Sequence, residues 1–330
     1  MTVRTLLIGA GGMARSHLPL MIQHGAQIVA VCEPSEAQYA LTCEKLESLE
    51  HPLPPNQPDL AQLLVDFAGQ LDVAFIITPH ALHHAQTKAC LEAGLDVLLE
   101  KPMVMNANEA EDLIRISEAT NRLLVVAFQG GLSPQVREAA RLIQSGELGE
   151  LLNVSGTVWQ NWKALSANTW RVQPHMSGGG FLFDTGAHML NTVCTLVGQD
   201  FAQVAAWLDN RGMEVDIIGA MVGKLDGGAL VTINASGDTI RSCESEISIF
   251  LTGAIIRTGQ WGERLSVRRD GESDYSPVDL PPMRGAWEQF MQVRAGEIEN
   301  PCPPSVGLRM AKLWDAIRAS AEQDGARVRC

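Results

Sequence analysis

Val3-Arg-Thr-Leu-Leu-Ile-Gly9-Ala-Gly-Gly-Met-Ala14 runs an apolar segment into a glycine-rich turn, and the stretch that follows, Met13–His24, has the pattern of a helix. A lone G-x-G-x-x-A is a weak signal. Between a strand and a helix it marks a dinucleotide-binding turn. Gly9 permits the tight turn, Gly11 lets the backbone approach a pyrophosphate, and Ala14 permits close helix–strand packing. Gly12 and Met13 stand at the helix N-terminus, which supplies N–H donors and the positive end of a dipole.

Working outward, the first third repeats this unit. Strand patterns at 27–33, 72–78, 96–100 and 123–128 alternate with helix patterns at 35–49, 60–68, 81–93 and 106–120, and His51–Pro58, with four prolines, is a loop. The strands are continuous Val/Ile/Leu/Ala runs without polar alternation, as expected of parallel strands buried on both faces, so the spacing predicts a doubly wound parallel sheet over residues 1–125. Beyond it, after a helix at 133–144, shorter segments at 151–160, 203–208, 217–225, 230–235, 247–251, 254–258 and 265–269 follow, several joined by Gly/Asp turns. They predict an α+β domain over 126–330 with a largely antiparallel sheet, closed by helices at 286–299 and 305–323.

The second strand ends in Val29-Ala-Val-Cys-Glu33. A carboxylate there can bond the adenosine ribose hydroxyls and would repel a 2′-phosphate. Only Pro34, Ser35 and Glu36 follow, with no nearby Arg or Lys, so NAD is favoured over NADP. A Rossmann-like turn for a flavin or S-adenosylmethionine, and a merely solvated Glu33, remain open from these residues alone.

The 330 residues suffice for two domains with their own cores, and the net charge of −13 argues against non-specific binding to nucleic acid or anionic membrane. Seven cysteines, an odd count without a C-x-x-C pair, fit neither a disulfide framework nor a zinc ribbon and suit a reducing cytoplasm. No leader-like segment precedes the first motif, and no apolar run approaches the ~18–20 residues that span a bilayer.

Two segments carry candidate chemistry. Lys101, in Leu98-Leu-Glu-Lys-Pro102, stands at the C-terminal end of a parallel strand, the edge where such sheets bind ligands. Its ammonium could stabilise a developing alkoxide, or it could be a surface lysine paired with Glu100. In Ser177-Gly-Gly-Gly-Phe-Leu-Phe-Asp-Thr-Gly-Ala-His-Met-Leu-Asn191, the glycines lead into a mostly apolar helix running to about Val197. Asp184, His188 and Asn191 fall on one stripe of it. Such a stripe needs partners or a cleft; from spacing alone a satisfied core His–Asp bond or a capping Asp is the more common outcome.

Taken in order, the Gly9–Ala14 turn, Thr78-Pro-His-Ala-Leu-His83 with Ala93-Gly94, Glu100-Lys-Pro102, Trp170-Arg171, Gly178-Gly-Gly…Asp184-x-Gly-x-His188 and Pro304-Ser-Val-Gly-Leu308 resemble the glucose–fructose oxidoreductase / inositol dehydrogenase / rhizopine-catabolism (Gfo/Idh/MocA) family over nearly the whole chain. The resemblance implies a Rossmann domain plus an open-faced sheet domain, and NAD-dependent oxidation or reduction of a sugar, cyclitol or related polyol. Lys101 would orient the reacting oxygen, Asp184 would hold a substrate hydroxyl, and His188 would be the general base or acid, apt because its ordinary pKa is about 6.5. Thr78, Pro79, His80, His83, Glu100, Lys101 and Gln129 would lie on the cofactor side. Trp162, Trp170, Arg171 and Asn191 would lie on the substrate side, although core packing is the commoner fate of tryptophans. The Lys101–Pro102 bond would be cis.

The chain departs from the family at His80, commonly Asn, at Gln129-Gly-Gly131, commonly aromatic-Asn-Arg, and at Asn191, frequently acidic; these changes remove charge from the substrate side. Neither Tyr39 nor Tyr275 has a lysine four residues on, which excludes a Tyr-x-x-x-Lys site. His80, His83 and His84 lack the cysteines or carboxylates of a metal set, so no metal is expected. An NAD-binding sensor on the same fold and an NAD-dependent glycosidase are the competing readings. An open apolar sheet face predicts a homodimer or homotetramer.

Overall fold

The computed structural model describes residues 2–282 and 284–330. In chain order its elements are β1 (Val3–Ile8), α1 (Gly12–Gln23), β2 (Ala26–Cys32), α2 (Glu36–Ser48), α3 (Leu60–Asp66), β3 (Val73–Ile76), α4 (His80–Glu92), β4 (Asp96–Leu99), α5 (Ala107–Thr120) and β5 (Leu124–Val126). There follow α6 (Gln129–Leu132), α7 (Pro134–Gln144), β6 (Leu151–Gln160), α8 (Trp162–Ser166), a 3-10 turn at Trp170–Val172, α9 (Pro174–Ser177), α10 (Phe181–Asp184) and α11 (Gly186–Val197). The chain closes with β7 (Phe201–Asp209), β8 (Ile218–Leu225), β9 (Leu230–Ser236), β10 (Cys243–Leu251), β11 (Ala254–Thr258), β12 (Leu265–Arg269), β13 (Ser276–Pro277), α12 (Ala286–Arg294), α13 (Pro304–Glu322) and β14 (Val328–Arg329).

Two compact units result. The first comprises residues 1–104, 108–127 and 284–307; the second comprises 105–107, 128–283 and 308–330. The returning segment brings α12 into the first unit, where Trp287 is buried and its indole N–H reaches the carbonyl of His24 at the end of α1.

In the first unit, five parallel strands stand in the order β2-β1-β3-β4-β5. All four residues of β3 and all three of β5 are buried, which explains their unbroken apolar sequence. Strand order reverses between β1 and β3, so the crevice for a ligand lies beyond the C-terminal ends of these two strands. The Gly9 turn and Thr78–His80 occupy that edge.

The second unit holds nine strands in the order β13-β12-β11-β10-β6-β9-β8-β7-β14. Pairing is antiparallel except for β6 beside β9. Inward residues such as Val154, Val158, Met221, Val231, Ile233, Ile247 and Ile249 are buried in strict alternation. Each large aliphatic side chain buried on this face contributes roughly 1.5–3 kcal/mol to the unit's stability. Every residue of α11 except Thr195 is buried, hence its apolar character all round. It lies against β6, where a Cβ on Gly156 would come within 2.8 Å of the Met189 sulfur.

Candidate active site

In the first unit, Gly9 adopts φ +87°, and a Cβ there would stand 2.6 Å from the Ile77 carbonyl oxygen, so both conformation and space require glycine. α1 then starts behind an extended Gly11 with no side-chain cap and no acidic residue in its first turn, leaving its leading amides available to an anion. Gly12 and Met13 are exposed, Ala14 is fully buried, and a Cβ on Gly11 would meet nothing within 4 Å. These are the features a pyrophosphate needs.

Glu33 is buried at the tip of β2, and its carboxylate accepts from the Ala10 N–H at 2.7 Å and from the Ser35 N–H at 2.8 Å. It therefore braces the glycine turn; each oxygen keeps a second lone pair. The Ala10 carbonyl in turn accepts from Arg15 Nη1 at 2.7 Å and Thr42 Oγ1 at 2.8 Å. Arg15 also reaches Gln38 Oε1 at 3.0 Å. Reading along β2 alone missed this cation, because α1 delivers it.

The Lys101–Pro102 bond is cis. Glu100 takes Nε2 of His17, from α1, at 2.8 Å on one oxygen and the Lys101 N–H at 3.2 Å on the other. Burial pushes its carboxyl up, but the His17 hydrogen bond and the charges of His17 and Lys101 outweigh this and hold it below its ordinary value. Thr78 Oγ1 donates to Gln86 at 2.6 Å, and Pro79 stands immediately before α4 without a side-chain cap bond. His80 is buried with its ring 5.7 Å from that of His83. His83 is wholly buried, with both ring nitrogens against main-chain carbonyls. His84 pairs with Asp112 at 2.9 Å. Among the described residues, no group of three His, Cys, Asp or Glu side chains is placed to hold a metal ion, and no helix is long and apolar enough to cross a membrane.

In the second unit, Asp184 gathers three of the sequence candidates. Its Oδ2 accepts from Trp162 Nε1 at 2.9 Å and Arg171 Nε at 3.1 Å, and the Arg171 guanidinium lies 4.5 Å over the Trp170 ring. Asp184 and His188 do not share one unbroken helix: α10 ends at Asp184 and α11 begins at Gly186. Thr185 keeps right-handed dihedrals (φ −73°, ψ −40°), so the helical path continues across the break. His188 is buried with Phe128 edge-on at 6.1 Å and Trp261 at 5.8 Å. Gln129 opens α6 in this unit. Asn191 is engaged elsewhere, its Oδ1 accepting from Arg309 Nη2 of α13 at 2.8 Å.

Asp216 was not singled out from sequence. The residue is buried; its two carboxylate oxygens accept from the N–H groups of Gly180 at 2.6 Å and Leu182 at 2.9 Å, while its carbonyl accepts from Phe181 N–H at 2.8 Å. It thus ties down the turn that starts α10. A Cβ on Gly180 would fall 1.8 Å from the Asp216 carbonyl oxygen, which is why a glycine stands there. The available signal was a lone acid between Val215 and Ile217, a charge that can be buried only with partners.

Comparison with known proteins places the two units in one family. Residues 3–128 match the model of the oxidoreductase family with an NAD-binding Rossmann fold, and residues 136–268 match the GFO/IDH/MocA C-terminal domain. Levoglucosan dehydrogenase of Pseudarthrobacter phenanthrenivorans is 31% identical over 162 residues, 46% of this chain and 41% of that protein. The scyllo-inositol 2-dehydrogenase (NADP(+)) of Bacillus subtilis is 26% identical over 266 residues, 78% of this chain and 71% of that protein. For three of the curated relatives the match spans only 36% to 58% of their length. Aldose–aldose oxidoreductase of Caulobacter crescentus, solved with glycerol, shares the fold at a TM-score of 0.86 and 18% identity, each chain covered fully. With residues 3–128 and 136–268 matched by models of one family, the chain belongs to the GFO/IDH/MocA oxidoreductase family.

Proposed function

We propose that the protein transfers hydride between a nicotinamide cofactor and a carbinol or carbonyl carbon of a sugar, cyclitol or related polyol. The observation that carries this reading is the Asp184 cluster: a buried carboxylate fixed by an indole and a guanidinium, four residues ahead of His188 and flanked by Trp170. A carboxylate beside aromatic faces suits a ligand rich in hydroxyls. When bound, the nicotinamide supplies the hydride acceptor or donor. Its pyrophosphate would meet the open amides behind Gly11. In oxidation, Asp184 holds a substrate hydroxyl, Lys101 orients the reacting oxygen, and His188 takes its proton; in reduction His188 returns it. The ordered motifs of the two matched units support grouping these three residues.

The negative charge of Glu33 at the ribose end favours NAD over NADP. The seven free thiols, two of them exposed, suit a cytoplasmic location. Trp207, Val222 and Leu230 are about half exposed on the outward face of β7–β9, and a second copy of the chain would cover them. Light scattering at micromolar concentration should give a dimer or tetramer; a monomer would remove this part of the proposal.

The direct test is NADH absorbance with NAD or NADP over a panel of sugars, cyclitols and polyols. Turnover with higher kcat/KM for NAD is expected. Preference for NADP would show that Arg15 outweighs Glu33. No turnover on any member, with NADH still bound, would favour a sensor.

A further inference from the structure

We propose that His83 is a positioning residue for Lys101, acting through the main chain of the Lys101–Pro102 turn rather than by touching the cofactor. The inference rests on the catalytic reading of Lys101 given above.

His83 sits on the first turn of α4 with no exposed surface. Its Nδ1 lies 2.8 Å from the Pro102 carbonyl oxygen and its Nε2 lies 2.9 Å from the Thr78 carbonyl oxygen. Both partners only accept, so the ring serves each through an N–H. A neutral imidazole has one such proton; an imidazolium has two. Burial is the strongest influence and, with the charge of Lys101, holds the ring below its ordinary value against the two carbonyls and the charge of Glu100, which favours the neutral form with its single N–H. Nδ1–H is the arm that matters in either form, because it alone reaches the Lys101–Pro102 turn.

The rest of the turn is held from the other side. Glu100 accepts the Lys101 N–H with one oxygen and is fixed by His17 with the other. The chain is thereby held at the amide preceding Lys101 by Glu100 and at the carbonyl following the Pro102 ring by His83. His17 belongs to α1, the helix that begins at the glycine turn, and Thr78 lies in the loop between β3 and α4. The lysine backbone is thus tied to both segments that line the β1/β3 crevice. With both nitrogens facing main-chain carbonyls and no exposed surface, the ring does not present an atom to a cofactor.

The chemistry of the amides supplies a graded test. Asparagine places its amide N–H near the position of Nδ1 and keeps the Pro102 arm; glutamine places its amide near Nε2 and keeps only the Thr78 arm. With rates normalised to NADH-binding stoichiometry, His83→Gln should lower kcat roughly 10- to 100-fold, the scale of an ångström-sized misplacement, while His83→Asn stays within about fivefold of the parent. The dissociation constant of NADH should change less than about twofold in both. In a Lys101→Met background, the His83→Gln effect should vanish, since residues acting through one another are not additive. Nitrogen-15 NMR of histidine-labelled parent protein needs no variant to fold, and should find a proton on Nδ1 of His83.

Equal losses in the two variants, a proportional loss of NADH affinity, a His83→Gln effect that persists in full without Lys101, or a ring protonated on Nε2 alone would each overturn the inference. If Lys101→Met by itself left kcat unchanged, the catalytic reading of Lys101 would fail instead.

Discussion

Replacing His188 with glutamine is expected to lower kcat by roughly 10²- to 10⁴-fold, the usual contribution of a positioned acid–base group, while NADH still binds. The reasoning starts from the place of the ring. His188 is buried on the first turn of α11, edge-on to Phe128 and against Trp261, so packing fixes its orientation and leaves it few rotamers. A histidine so confined presents its ring nitrogen at one position for proton exchange, and glutamine keeps much of its volume without that proton chemistry. The cofactor features, by contrast, lie in the first unit, at Gly9–Ala14 and Glu33. Loss of turnover with retained NADH affinity therefore separates the roles. Unchanged kcat in the variant would remove His188 from the reaction; a parent that binds NADH yet turns over nothing would point to the sensor reading.

What the sequence made legible follows from how each feature is encoded. The parallel strands could be read because burial on both faces forces continuous apolar runs, and the antiparallel sheet because one buried face forces alternation at Val154, Val158, Ile247 and Ile249. Gly9 was legible because its conformation and contact admit no other residue. The Asp184–Arg171–Trp162 cluster was half legible. Its members were named as candidates, but the bonds among them depend on how α8, the 3-10 turn and α10 fold over one another. Asn191 shows the limit of periodicity. The stripe put it with Asp184 and His188, yet Arg309, distant in sequence, takes its side chain. The pairing of Glu100 with His17 and the two main-chain carbonyls that face the His83 ring were hidden for the same reason: each partner arrives from another element or is a backbone atom, which residue patterns do not encode. The return of 284–307 to the first unit was equally silent, because an apolar stripe on α12 does not say which core it fills.

Asp216→Ala should be the most damaging substitution outside the reacting groups. Two effects oppose each other. Burial drives the carboxyl of Asp216 above its ordinary value, with the N–H groups of Leu182, Gly180 and its own residue pulling it back, so removing the acid relieves some cost of burying charge. Against this, the variant strips the acceptors from two buried amides at the start of α10, each orphan costing about 1–3 kcal/mol. The orphans should win, because the carboxylate is already well bonded and little is recovered by deleting it. A net loss of about 2–4 kcal/mol follows, on the order of 5–10 °C in Tm. Because the freed turn leads directly to Asp184, substrate KM should rise as well, while NADH affinity, which depends on the first unit, stays near that of the parent. Asp216→Asn keeps one acceptor but sets an amide donor against the other N–H, so it should fall between parent and alanine in Tm or join the latter. A melting temperature within about 2 °C of the parent for Asp216→Ala would show that the two N–H groups find other acceptors, and that the turn is held by Gly180 packing and the Phe181 N–H bond instead.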